Sequence, residues 1–123
     1  MNINQINTGV LAYIGDSIYE VEVRKYLINK KINNVNDLQN EAIKYVSAHA
    51  QAKILEDLIN NEFLLEEELE IVRRGRNYKP NSKPKHSDIV TYKKATALET
   101  LFGVLYLEKK QDRINIIMKE ILR

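Results

Sequence analysis

The order of apolar and polar residues along the chain predicts a succession of helices. Apolar residues at near-helical spacing predict a first helix that Thr8 caps and that runs to about Asn29. Asn36 is a suitable N-cap for a second helix that continues through Tyr45, and Ser47 is a suitable N-cap for a third. The first half of the chain therefore predicts three helices joined by short connections.

The second half of the chain continues the helical pattern. "LLEEELEIVRRG" carries acids in its first turns and arginines in its last, an order that complements the helix dipole, with Gly75 as a C-terminal stop. Ser87 is the predicted cap of a fifth helix, "DIVTYKKATALETLFGVLYLE", and "RINIIMKEIL" predicts a last amphipathic helix. With four glycines and two prolines in 123 residues, the chain predicts a single all-α domain over residues 1–123.

Positive charge is concentrated in one part of the chain. Between Arg73 and Lys94 there are eight cations and one acid, Asp88, so this segment carries +7 and the remainder carries −5. Its centre, "RNYKPNSKPKHS", contains both prolines and has no helical period. A basic segment on an acidic body indicates a polyanionic partner, although a solvated charged loop would give the same composition.

Composition excludes several kinds of protein. The chain has no cysteine, no secretory signal pattern at its N-terminus and no apolar run near the roughly 18 residues of a membrane span, so we expect a cytoplasmic protein. His49 and His86 have neither metal-ligand nor catalytic-triad spacing. Tyr13, Tyr19 and Tyr106 are interpreted as core or interface aromatics.

Two carboxylates interrupt apolar helices. Asp16 follows Gly15 in the first helix, and Glu99 lies in the middle of the fifth with a small residue one turn before and after it. A carboxylate in such a position requires a salt bridge, hydrogen bonds or a metal ion. Oxygen ligands alone suit Mg²⁺ or Mn²⁺, whereas pairing with Arg24 or a lysine would need no metal. The spacing leaves both interpretations open.

The segments around these acids resemble a known family. "LAYIGDSIYEVEVRKYL" is similar to the signature helix of ribonuclease III, and "KKATALETLFGVLYLEKK" is similar to the second acidic helix of that family. Together with "VSAHAQAKIL" and "RRGRN", they make the chain resemble Mini-ribonuclease III, the short bacterial form without a double-stranded-RNA-binding domain. The resemblance extends from about Gly9 to Glu120 and implies the helical fold of the ribonuclease III endonuclease domain.

The resemblance also implies an activity. Asp16 and Glu99 match the catalytic, metal-binding acids, with Mg²⁺ as cofactor and Mn²⁺ as an alternative, for hydrolysis of double-stranded RNA to 5′-phosphate and 3′-hydroxyl ends. It further implies a homodimer that matures the paired ends of precursor large-subunit ribosomal RNA. The alternative is a non-catalytic dimeric scaffold that binds double-stranded RNA independently of the two acids. The residues expected to contact RNA phosphates are Arg74, Arg76, Lys79, Lys83 and Lys85.

The chain departs from the longer enzymes of this family at three acidic positions. Gly9 and Ala12 stand where those enzymes have glutamates, and Thr96 stands where they have an aspartate. This smaller acidic set resembles the short form and leaves fewer ligands for a second metal ion.

Overall fold

The computed structural model describes residues 1–80 and 88–123, which form six α-helices, a short 3-10 turn over Ile3–Gln5 and no strand. The all-α prediction is confirmed for these residues. None of the described helices is long and apolar enough to cross a membrane. The helices are α1 (Thr8–Asn29), α2 (Val35–Val46), α3 (Ala48–Asn60), α4 (Glu66–Arg76), α5 (Ile89–Leu107) and α6 (Gln111–Leu122).

The starts of the first three helices are fixed by side-chain caps. Ser47 caps α3 as predicted, because its hydroxyl accepts a hydrogen bond from the backbone N–H three residues later. The other two predicted caps are wrong by one and two residues. Asn7 rather than Thr8 caps α1, and Asn34 rather than Asn36 caps α2. Since threonine and asparagine are both good N-caps, residues of these types that lie close together in the chain cannot be ranked from the sequence.

The sequence predicted that Gly75 ends α4, and this prediction is wrong. Gly75 lies inside α4 and is buried. A Cβ atom at this position would come within 2.7 Å of Thr100 Oγ1 and 2.8 Å of Ala97 Cα. The glycine therefore allows α4 to pack closely against α5, and the helix continues for one more residue to Arg76.

The centre of the fold is α5. Asp88 caps this helix by accepting a hydrogen bond from the Thr91 backbone N–H, and the predicted cap Ser87 lies outside the described residues. Nearly every residue from Ala95 to Leu105 is buried, with Glu99 the exception at intermediate exposure. A helix that is apolar on all sides must be surrounded by others, and α1, α3 and α4 all pack against it.

The contact between α1 and α5 is made by backbone. A Cβ atom at Gly15 would overlap the carbonyl oxygen of Glu99 and lie 2.7 Å from Gly103 N. In the reverse direction, a Cβ atom at Gly103 would overlap the carbonyl oxygen of Leu11. The two glycines therefore let the helices cross at a separation that no other residue permits.

The end of the chain is attached to the core by a nearly buried ion pair. Arg113 in α6 donates to the Glu68 carboxylate through Nε at 2.7 Å and through Nη2 at 2.8 Å. The same carboxylate accepts a hydrogen bond from the Leu65 backbone N–H, and the side chain of Glu68 is 3% exposed. This pair joins the start of α4 to α6.

We expect Arg113→Met to lower the free energy of unfolding at pH 7 by about 3 kcal/mol, since it leaves the Glu68 carboxylate unpaired in a nearly buried place. Burial raises the pKa of Glu68, but hydrogen bonds from Arg113 and Leu65 outweigh this, so the pKa of Glu68 is below its ordinary value. In the wild type the stabilisation is therefore full above the ordinary glutamate pKa of 4.5 and is lost as the pH falls through the lowered pKa. Urea titrations at pH 7 and pH 3 should show the difference between variant and wild type narrowing in acid.

The matched control is Arg73→Met, which breaks an exposed pair with Glu70 whose atoms are 2.5 Å apart. An exposed pair within one helix is worth about 0.5 kcal/mol. Equal losses in the two variants would contradict a special role for the Arg113 pair.

Candidate functional site

A cavity of about 480 Å³ opens beside α1, α5 and the residues that follow α4, and both predicted acids line it. Asp16 reaches it from α1 and Glu99 from α5, which places the two carboxylates at the point where these helices cross. The apolar residues around Asp16 are typical of a core-facing position, but Asp16 is exposed, because α1 turns it to the rim while Gly15 makes the helix contact. The other lining residues are Asn7, Gly9, Val10, Ala12, Tyr13, Tyr78, Pro80, Tyr92 and Thr96.

The two carboxylates lie against each other without a cationic partner among the residues of 1–80 and 88–123. Burial and then the neighbouring Asp16 charge raise the pKa of Glu99 to about 8, and the Gln51 amide acts in the opposite direction. Arg24, which the sequence offered as an alternative partner, instead pairs with Glu20 at 3.2 Å. No cationic side chain in the described part of the chain therefore balances the negative charge of this pair.

Such a pair fits a hard divalent cation. Carboxylate oxygens are the ligands that Mg²⁺ and Mn²⁺ prefer, and a cation between Asp16 and Glu99 would remove the repulsion that raises the Glu99 pKa. Within the described ranges, no group of three or more His, Cys, Asp or Glu side chains comes together to form a complete metal site. Two protein ligands would leave further positions for solvent and for a phosphate of the substrate.

The three positions at which the chain lacks an acid of the longer enzymes all border this cavity: Gly9, Ala12 and Thr96. The room beside Gly9 is taken by Tyr78, whose hydroxyl oxygen would lie 2.5 Å from a Cβ atom at that glycine. This wall of the cavity is thus phenolic where the longer enzymes would place a carboxylate.

Tyrosines are the site residues that the sequence did not reveal. Tyr13, expected to be a core or interface aromatic, is exposed and so does not belong to the core, and it lines the cavity with Tyr78 and Tyr92. Tyr19 is fully buried as expected, and Tyr106 is exposed. The position of Tyr13, three residues before Asp16 on one helix face, was a usable signal, whereas Tyr78 follows a helix and has no periodicity to interpret.

Arg74, one of the five cations predicted to contact RNA, is engaged inside the fold. Its guanidinium donates to Thr8 Oγ1 at 2.7 Å, to the Ile3 carbonyl at 3.2 Å and to the Ile6 carbonyl. These bonds tie the N-terminal turn and the start of α1 to α4. Its predicted phosphate contact is not tested by this arrangement.

The other predicted RNA contacts are divided between described and undescribed residues. Arg76 and Lys79 are exposed, while Lys83 and Lys85 lie outside the described residues. Arg76 borders a shallow concavity of about 210 Å³ together with Lys93 and Lys94, which belong to α5. Cations from two helices thus surround one surface depression.

The chain is similar to known proteins over nearly its whole length. The family model of the ribonuclease III domain matches residues 9–110. Mini-ribonuclease 3 of Staphylococcus aureus is 40% identical over 121 residues, covering 98% of this chain and 90% of that protein. Mini-ribonuclease 3 of Brevibacillus brevis is 46% identical over 117 residues, covering 95% and 86%. A crystal structure of a Fusobacterium nucleatum protein superposes with a TM-score of 0.84 at 33% identity, covering 95% of this chain and 93% of that one.

Proposed function

Because the chain belongs to the ribonuclease III family, in its Mini-ribonuclease 3 group, we propose that Asp16 and Glu99 are the residues with which it cuts RNA. Family membership makes it an endoribonuclease that acts on double-stranded RNA. The observation that carries the assignment of the pair is the convergence of these two carboxylates, from two helices, on one open cavity. The products are expected to carry 5′-phosphate and 3′-hydroxyl ends.

Asp16 and Glu99 would also hold the divalent cation, Mg²⁺ or Mn²⁺. When bound, such an ion lowers the pKa of an attacking water and stabilises the charge that develops in phosphodiester hydrolysis. Asp16, at the rim, is exposed to solvent, whereas Glu99 is partly buried. Asn7, Thr96 and the tyrosines supply polar groups that can bind sugar and phosphate oxygens beside the pair.

Basic residues outside the lining of the cavity would supply affinity for the duplex. Arg76, Lys93 and Lys94 surround one depression, and Lys79 is exposed close by in the chain. Contacts from such residues neutralise phosphates, so they give affinity and salt dependence rather than base recognition. Recognition of an A-form duplex by shape and 2′-hydroxyls is compatible with a domain of this size.

We include a homodimer in the proposal. Val10, Tyr13, Val21 and Ile28 recur at helical spacing on α1 and are all about half exposed or more, which is unusual for a run of large apolar side chains. A second copy of the chain would cover this face. Since Val10 and Tyr13 also line the cavity, such a dimer would bring two cavities to one duplex.

Arg76→Gln should weaken duplex binding and lower the slope of log affinity against log salt by about 1, because one phosphate contact is lost. Its unfolding free energy should be unchanged, since the side chain is exposed. Arg74→Gln is the matched comparison: loss of hydrogen bonds from a charged donor to Thr8 and two carbonyls should cost about 2 kcal/mol of stability. Fluorescence anisotropy at several salt concentrations and urea titration measure the two quantities. An Arg76 variant with an unchanged salt slope would remove this residue from the RNA surface.

The proposed function is tested by incubating the protein with end-labelled duplex RNA in Mg²⁺, in Mn²⁺ and in EDTA. Cleavage in either metal, none in EDTA and a 5′-phosphate on the new end would support it. Binding without cleavage in every condition would favour the scaffold instead.

A duplex copied from the paired ends of precursor large-subunit ribosomal RNA should be cut faster than a generic duplex of equal length. Equal rates would remove ribosomal RNA maturation from the proposal.

A further inference from the structure

Tyr78 is a half-buried tyrosine whose hydroxyl group lies against the first turn of α1. It follows the end of α4 by two residues and lines the same cavity as Asp16 and Glu99. Its backbone N–H donates to the Gly75 carbonyl at 3.3 Å, which attaches this residue to the last turn of α4. The side chain therefore starts from a fixed point on one helix and ends on another.

Gly9 provides the space that the Tyr78 hydroxyl occupies. A Cβ atom at Gly9 would lie 2.5 Å from the hydroxyl oxygen and 2.8 Å from the Cζ atom of Tyr78. Both distances are shorter than Cβ atoms tolerate, so any larger residue at position 9 would displace the end of the phenol ring. The absence of a Cβ atom at Gly9 thus determines where the Tyr78 hydroxyl lies.

The hydroxyl lies beside the face of α1 that carries Asp16. Gly9 is two helical turns before Asp16, about 10 Å along the helix axis, so the two residues share one face. Ala12 lies between them and also lines the cavity. Because its side chain is small, the space between the hydroxyl and the carboxylates is open to a substrate.

A phosphodiester in this cavity would need neutral hydrogen-bond donors. Within the described ranges, none of the side chains that line the cavity is cationic. A divalent cation at Asp16 and Glu99 would neutralise the phosphate oxygens that it binds, and every other phosphate oxygen would need an N–H or O–H donor. A phenol hydroxyl is such a donor, and hydrogen bonds to charged acceptors are stronger than those between neutral groups.

Tyr78 is better placed for this contact than Tyr13. Tyr13 also lines the cavity, but it is 79% exposed. Tyr78 is half-buried and is held at both ends, by the Gly75 carbonyl and by the surface of Gly9. A donor that is held in place before binding loses less conformational entropy when the substrate arrives.

We propose that the Tyr78 hydroxyl donates a hydrogen bond to a phosphate oxygen of the RNA strand that is cut, and that Gly9 places this hydroxyl. The inference rests on the proposed function, because an RNA phosphate must enter the cavity of Asp16 and Glu99 for this contact to form. Tyr78 is then a residue that touches the substrate, whereas Gly9 acts through Tyr78.

The first test is Tyr78→Phe, which removes only the hydroxyl. We expect kcat/KM for duplex cleavage to fall about 10-fold, as for the loss of one hydrogen bond to a charged group. The fall should come mainly from a higher KM, because the contact is present both before and during the reaction. Mn²⁺ affinity without RNA should stay within about twofold, since both carboxylates remain. A 10-fold loss of Mn²⁺ affinity would place Tyr78 on the metal instead and overturn the inference.

The matched control is Tyr26→Phe. Tyr26 is another half-buried tyrosine, but its ring packs against Tyr45 and does not line the cavity. This variant should keep kcat/KM within about twofold. If Tyr78→Phe also stays within twofold while the wild type cuts, the inference is wrong and the proposed function is unaffected. If the wild type does not cut duplex RNA, the proposed function fails and the inference fails with it.

Gly9→Ala tests the placement of the hydroxyl without removing it. Since the new Cβ atom would displace the end of Tyr78, we expect kcat/KM to fall by a similar factor, about 10-fold. The two substitutions remove the same contact, so the double variant should be about as active as either single variant. A double variant in which the two losses multiply would show that Gly9 and Tyr78 act independently, which would contradict the inference.

A modified duplex distinguishes a phosphate acceptor from a ribose acceptor. The strand that is cut carries 2′-deoxynucleotides on both sides of the cleaved bond, which removes the nearby 2′-hydroxyls and keeps the phosphates. Tyr78→Phe should still lower kcat/KM about 10-fold on this duplex. If the variant and the wild type cleave it equally well, the acceptor is a 2′-hydroxyl and the assignment to a phosphate is wrong.

Discussion

Asp16→Asn and Glu99→Gln are each expected to lower kcat for duplex cleavage by about 1000-fold, while duplex affinity measured in EDTA stays within about twofold. Both substitutions keep the shape of the side chain and remove one of two carboxylates that the described cavity offers to a cation. Single-turnover cleavage and anisotropy with the same labelled duplex give the two quantities.

The matched control for this prediction is Glu20→Gln. Glu20 lies one turn after Asp16 on α1 but pairs with Arg24 and does not line the cavity. It should keep cleavage within about twofold, because an exposed pair is worth little and no ligand is lost. If Glu20→Gln is as inactive as Asp16→Asn, the assignment of Asp16 and Glu99 as the catalytic pair is wrong.

The Glu99 carboxylate makes the stability of the metal-free protein sensitive to pH. The pKa of Glu99 is raised from 4.5 to about 8, so the folded state holds its proton more tightly than the unfolded state does. This contribution to stability is full below about pH 4.5 and is lost as the pH rises through about 8. In EDTA, unfolding free energies of the wild type should therefore decline over this range relative to Glu99→Gln. If the unfolding free energies of the wild type and of Glu99→Gln change in parallel with pH, the pKa of Glu99 is not raised in the folded state.

The second large effect concerns stability: Gly15→Ala is expected to lower the free energy of unfolding by more than about 3 kcal/mol. The added Cβ atom would overlap the backbone carbonyl oxygen of Glu99, and a backbone atom cannot move aside as a side chain can. The gain of about 1 kcal/mol that alanine brings to a helix interior is too small to compensate. Since α1 must shift, the fraction that remains folded should also cleave more slowly.

The comparison variant for Gly15→Ala is Gly9→Ala, in the first turn of the same helix. Its Cβ atom would meet the hydroxyl end of Tyr78, which is the far end of a flexible side chain and can be displaced. Its unfolding free energy should lie within about 1 kcal/mol of the wild type. Urea titration distinguishes the two, and similar values would show that α1 and α5 do not cross as closely as described.

Periodicity was sufficient to predict the helices because helix formation depends on local spacing. It was insufficient where one residue type serves two purposes. Gly75 has the composition of a helix stop, and only the proximity of Thr100 and Ala97 shows that it allows close packing. Nothing in the local sequence around Gly75 distinguishes the two uses.

The candidate site was predicted in part for similar reasons. Asp16 and Glu99 stood out because carboxylates in apolar helices are unusual, and the structure brings them to one cavity. The exposure of Asp16 could not be predicted, since α1 carries apolar residues on nearly all of its faces. Tyr78 was missed because its place in the cavity comes from a residue far away in the chain, Gly9.

The glycine crossing of α1 and α5 has a consequence for how substrate preference can change. The relative position of Asp16 and Glu99, the proposed catalytic pair, is set by main-chain contact between two helices, whereas Tyr78 and Pro80 line the cavity from the connection that follows α4. With the proposed function, chemistry and substrate selectivity would then be carried by separable parts of the chain. We expect a library randomised at residues 78–80 to yield enzymes with altered duplex preferences and an intact hydrolytic step.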